Sequence, residues 1–135
     1  MSTETTIYRV IVPGVPDAVL SPNASWGVHW GTKARARNRL GKAAWAAALQ
    51  ARPTQPFTEP VKVTVRICWP SRRQIMDDDN AAACLKRMWD AFTQAGIWED
   101  DRLMRLQPIQ QEKLDKAGMV SWPGGCIVVD IEEIA

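Results

Sequence analysis

VKVTVRICW, residues 61–69, alternates without a break. Val61, Val63, Val65, Ile67 and Trp69 fall on one face, with Lys62, Thr64 and Arg66 opposite. A period of two with β-branched residues on the apolar side predicts a strand with one buried face. Upstream, PTQPFTEP (Pro53–Pro60) is a breaker segment. Before it, ARARNRLGKAAWAAALQA, from about Ala34 to Ala51, is rich in Ala, Arg and Lys and predicts a helix, slightly weakened by Gly41. Pro13–Gly31 is a loop punctuated by Pro and Gly, and TIYRVIV (Thr6–Val12) alternates well enough for a first strand. Downstream, Leu85, Met88, Trp89 and Phe92 recur at helical spacing, so a second helix is expected from about Asn80 to Ala95, with Gly96 as its stop. LMRLQPIQQEKL (Leu103–Leu114) predicts a weaker strand with Pro108 inside it, and GCIVVDIEEI (Gly125–Ile134) a last strand. The order β-α-β-α-β-β predicts an α/β (mixed α+β) fold, one domain over 1–135, with two main helices covering a small mixed sheet.

Composition agrees with one packed domain. The chain has 135 residues, 46% of them hydrophobic, and seven Trp. No apolar run approaches the ~18 residues of a membrane span. The start, MSTETTIYRV, lacks a basic region followed by an apolar one, which argues against secretion. Cys68, Cys84 and Cys126 are odd in number and not closely spaced, as expected for reduced thiols in a cytoplasmic protein rather than disulfides or a zinc site. A single histidine, His29, argues against a His-based metal centre. Charge is divided: residues 1–75 carry 11 Lys/Arg against 3 Asp/Glu, and residues 76–135 carry 6 against 12. A basic half beside an acidic cluster suits a polyanion with a cation between, although uneven surface charge alone would look the same.

The acids concentrate in MDDDN, Met76–Asn80. Helix capping accounts for one Asp, or two. A third adds repulsion that a bound Mg²⁺, with Mn²⁺ as a substitute, would relieve. On an extended approach Asp77 and Asp79 point the same way and Asp78 elsewhere. WEDD, Trp98–Asp101, lies just beyond the second helix. A chain that turns at Gly96 and re-enters the sheet is expected to bring Asp100 or Asp101 back beside the helix start. Three carboxylates from two segments would then cage an ion able to polarise a phosphodiester and activate water. Asp79, Lys86 and Asp90 share one helical stripe. Lys86 is either half of a surface pair with Asp90 or a lysine facing phosphate.

The motif order resembles the RusA-type Holliday junction resolvases. Their D-x-D-N, lysine, D-A-L, glycine turn and D-D appear here as Asp77-Asp78-Asp79-Asn80, Lys86, Asp90-Ala91-Phe92, Ala95-Gly96 and Asp100-Asp101. Ser71-Arg72-Arg73 after the central strand resembles the family's basic approach, and SPNASWGVHW is a looser match to its N-terminal loop. The likeness spans most of the chain, and its specific part is Arg72 to Asp101. It implies a homodimeric, Mg²⁺-dependent endonuclease that nicks four-way DNA junctions symmetrically in recombination and repair, of a kind often carried by phages. It also implies Asp77, Asp79 and Asp101 as metal-binding catalytic carboxylates and Lys86 as the catalytic lysine. One departure stands out. The family's lysine follows the second Asp by four residues, where this chain has Ala83; Lys86 is seven away. Three added residues nearly complete a turn, which keeps the face and shifts the height by ~4.5 Å.

Lys33, Arg35, Arg37, Arg39 and Lys42 crowd the first helix, and with Arg72 and Arg73 they would track DNA phosphates; a solvated helix face is the plain alternative. Trp26 and Trp30 either stack on opened bases or plug the core. Trp45 and Trp89 are expected in the core or a dimer interface. Two other readings remain open: a nuclease for other branched or flapped DNA, and a catalytically silent DNA-binding module.

Overall fold

β2, Val61–Trp69, is the strand to which the rest of the sheet is built. In the computed structural model, which describes residues 7–21 and 29–134, its boundaries are those the alternation predicts. Val61, Val63, Val65, Ile67 and Trp69 are all buried against the helices. β5, Cys126–Glu133, lies antiparallel beside β2, and β1, Ile7–Pro13, lies antiparallel beyond β5. On the other edge of β2, β3 (Met104–Leu106) and β4 (Gln110–Lys113) both pair parallel, in line with each other. The expected single strand over Leu103–Leu114 is thus two short ones interrupted around Pro108, which has no N–H to give to a ladder. The sheet is mixed, in the order β1-β5-β2-β3 with β4 also on β2.

Helices cover one face. α1, Trp30–Ala51, starts four residues earlier than its composition suggests, because the His29 side chain caps it by accepting the Gly31 N–H at 3.1 Å. The second helix is two segments, α2 (Asp78–Cys84) and α3 (Lys86–Ala95). They meet at Leu85, where φ −92° and ψ −4° tighten the turn and the Leu85 N–H reaches the Ala82 carbonyl. Gly96 ends α3 in the left-handed conformation at φ 88°, with its N–H on the Phe92 and Thr93 carbonyls. Phe92, Trp89 and Trp98 close the core there. The opposite face of the sheet holds a smaller cluster of Cys68, Cys126 and Val128 under Leu114 and Trp122. A short helix absent from the expected order, α4 (Lys116–Ser121), precedes β5.

Cys68 and Cys126 are far apart in sequence but directly opposed across β2 and β5. Both are free thiols, as is Cys84. Burial pushes the Cys84 and Cys126 thiols up to about 11. Among the described residues no helix is long and apolar enough to cross a membrane.

Candidate active site and nucleic-acid face

The acid cluster is held at the C-terminal end of β2 by one side chain. Gln111, on β4, accepts from the Trp69 indole N–H (3.0 Å) and the Met76 N–H (3.2 Å). Its amide nitrogen donates to the Met76 carbonyl (2.7 Å) and the Asp78 carboxylate (3.1 Å). A Ser71/Gln74 capping box shapes the 3-10 turn Arg72–Gln74 that leads in. The three acids then divide. Asp77 caps α2, its Oδ1 accepting the Asn80 N–H at 3.0 Å. Asp78 turns to Gln111. Asp79 stands exposed in the first turn and, among the described residues, has no hydrogen-bonding or ionic partner. Capping therefore explains Asp77, while Asp79, with no bonded partner, has only the favourable field of the helix N-terminus.

The second acidic pair opens a 3-10 turn, Asp101–Leu103. Asp100 accepts from the Arg102 N–H (2.8 Å) and Nε (3.1 Å). Those bonds, the backbone one first, hold its carboxyl below the usual range. Asp101 is exposed.

The chain does not bring Asp101 back beside the helix start, as the turn at Gly96 suggests. Met104, three residues after Asp101, pairs with Val61 at the beginning of β2, whereas Gln111, which holds the Asp77–Asp79 turn, pairs with Ile67 near its end. Six strand residues put these levels about 20 Å apart. The reason is topological: a parallel crossover returns the chain to the end where the first strand began. Among the described residues no group of three His, Cys, Asp or Glu is placed to hold a metal ion.

Lys86 begins α3 and is exposed. It forms no ion pair with Asp90 among the described residues. Instead it borders a cavity of about 350 Å³ between α1 and α3, together with Lys33, Arg37, Arg87 and Asp90, over a floor that includes Leu20 and Cys84. Ala83, at the position where the family has its lysine, borders the same cavity, one helical turn from Asp79. The other basic residues separate. Lys42 faces a second recess along the same helices. Arg39 is tied to Asp17 at 3.1 Å and Arg35 reaches the Thr32 hydroxyl at 3.4 Å. Arg72 and Arg73 are exposed on the turn before the acid cluster. Trp30 is 75% exposed and plugs no core; its ring lies against His29. Trp89 is in the core at 7%, but Trp45 stands out of it at 47%. Trp26 lies outside the described residues. Sequence reasoning missed Arg87 and Gln111. Arg87 follows Lys86 directly and shares its cavity, a signal that was present; nothing in QQEK reveals the partners of Gln111.

The model of the family described as endodeoxyribonuclease RusA matches residues 17–118. The chain belongs to the RusA endodeoxyribonuclease family. Its members are Holliday-junction-resolving hydrolases, and this protein is an endodeoxyribonuclease of that family. Nucleases of the family are generally dependent on a divalent metal. No curated protein is matched by the chain. The matched region runs through α1, β2, the acid cluster, the cationic cavity and Asp101, so the family match covers every side chain discussed above as part of the site.

Proposed function

We propose that the protein is a Mg²⁺-dependent, homodimeric endonuclease that resolves four-way DNA junctions by paired symmetric nicks in recombination and repair. The observation that carries the reading is the unpartnered Asp79 one turn above a cavity rimmed by unneutralised Lys33, Arg37, Lys86 and Arg87. Acids and bases that do not neutralise each other suit a cation and a polyanion held together.

The residues present fit the ion. Asp79 and the Asp77 oxygen not used in the cap are hard donors, and Mg²⁺ is commonly held by one or two carboxylates together with water and phosphate oxygens. Bound there, Mg²⁺ supplies Lewis-acid polarisation of a phosphodiester. Asp101 is the third ligand in this proposal, supplied by a second copy of the chain; the offset of Met104 from Gln111 along β2 supports that choice. A two-fold dimer makes that exchange reciprocal and creates two equivalent sites for two opposed strands. Lys86 faces the scissile phosphate and stabilises the charge that develops on it. Arg72 and Arg73 guide the backbone toward the acids. Lys33, Arg37 and Lys42 hold phosphates along α1, and Arg35 and Arg39 extend that field at longer range.

Divalent-dependent nicking of a synthetic four-way junction, compared with linear duplex and a flap, tests the reading. Paired nicks in the junction with Mg²⁺, lost in Asp79→Asn while binding persists, are expected. Preference for the flap would assign the protein to other branched DNA. Binding without cleavage under any divalent ion would leave a silent DNA-binding module.

A further inference from the structure

Lys33, Arg37, Gly41 and Trp45 follow one another at four-residue steps and form a single stripe along α1. α3 runs beside this stripe. The cavity at Lys33 and Arg37 has Arg87 in its wall, and so does the recess of about 260 Å³ at Gly41, Lys42 and Trp45. The two hollows therefore adjoin at Arg87, and a ligand that followed both would lie in a groove with its waist there. Gly41 permits the waist: a Cβ there would lie 3.1 Å from Arg87 Nε and 3.3 Å from its Cγ. The recess ends on the exposed indole of Trp45, with the amides of Asn38 and Gln94 at its rim.

Charge selects the occupant. Among the described residues Lys33, Arg37, Lys42, Lys86 and Arg87 make no ion pair. An apolar partner would have to bury those cations unpaired, which is costly. A polyanion neutralises them, and a flat exposed indole among cations is what an unpaired base uses as a platform. Both the crossover of a junction and a single strand offer such bases. We propose that this groove holds one DNA strand, with phosphates on Arg37 and Arg87 and an unpaired base stacked on Trp45 between the amides of Asn38 and Gln94. The proposal rests on the nuclease reading for its choice of DNA, and it adds Arg87 and Trp45 to the binding machinery.

Four-way junctions carrying 2-aminopurine at positions flanking the crossover provide the test. The wild-type protein is expected to quench one of these positions. Trp45→Ala should remove that quenching and weaken junction affinity by about 5- to 150-fold. Trp45→Phe should retain part of both. Arg87→Gln should weaken binding and lower the salt slope by about one phosphate. Sedimentation of both Trp45 variants should match that of wild type. Should Trp45→Ala fail to fold, Trp45→Phe and Arg87→Gln carry the measurement. Wild-type affinity and quenching in Trp45→Ala would overturn the proposal. So would a dissociated dimer in the Trp45 variants, which would give this surface to a second copy. Paired nicking with quenching and affinity that do not depend on Trp45 would remove the stacking site and keep the nuclease. Trp45-dependent quenching without nicking would do the reverse.

Discussion

Lys86 stands one turn further from the acids than the family pattern places its lysine, yet it opens into the same cavity as Ala83. Lys86→Ala is expected to lower the single-turnover nicking rate by ~10²–10³. Junction affinity should change far less. In the Ala83→Lys, Lys86→Ala double variant a lysine re-enters the cavity one turn nearer Asp79, and partial recovery of rate is expected. Unaltered cleavage in Lys86→Ala would pass the role to another cation, Arg87 being nearest in sequence. Gly41 poses a different trade. Alanine is the better helix former, by roughly 0.8–1 kcal/mol. The atoms it would crowd, Nε and Cγ, belong to the flexible Arg87 side chain. Gly41→Ala should therefore raise the melting temperature and displace Arg87, so stability improves while junction affinity falls.

Gln111 ties two elements that sequence reading keeps apart. Its single amide holds β4 to the segment entering α2 through Trp69, Met76 and Asp78. Gln111→Leu leaves the Met76 N–H and carbonyl without their partner, which should cost about 1–3 kcal/mol. Because the same bonds set the direction from which Asp77 and Asp79 emerge, nicking should drop more than junction binding. Wild-type kcat with lowered stability would limit Gln111 to a structural role. The elements also show how far the sequence could be read. Val61–Trp69 was legible to the residue because its alternation coincides with true burial on one face. Leu85 was not, since Leu85, Met88, Trp89 and Phe92 keep helical spacing straight through the break. The residue types of the acid cluster were readable, as was the capping power of an Asp there. The position of Asp101 was not, because a glycine turn fixes where a helix stops and says nothing about which end of the sheet the chain then enters.

At the scale of the molecule, the register on β2 sets Met104, three residues after Asp101, six strand positions from Gln111, which holds the Asp77–Asp79 turn. A site completed by a second chain makes a sharp forecast. Asp79→Asn and Asp101→Asn should each be inactive alone. Mixed, they should recover cleavage, because a heterodimer has one site with all three carboxylates intact and one with neither variant position intact. Single-strand nicks rather than paired cuts should therefore dominate, read on a denaturing gel with each strand labelled. No recovery, with subunit exchange demonstrated, would put all three carboxylates in one chain. The same strand register bears on cellular safety. An endodeoxyribonuclease is safer for its cell when it is idle while scarce or newly made. If a lone chain lacks a ligand, cutting power grows with the square of its abundance at low levels, and a freshly released copy carries no blade until it meets its twin.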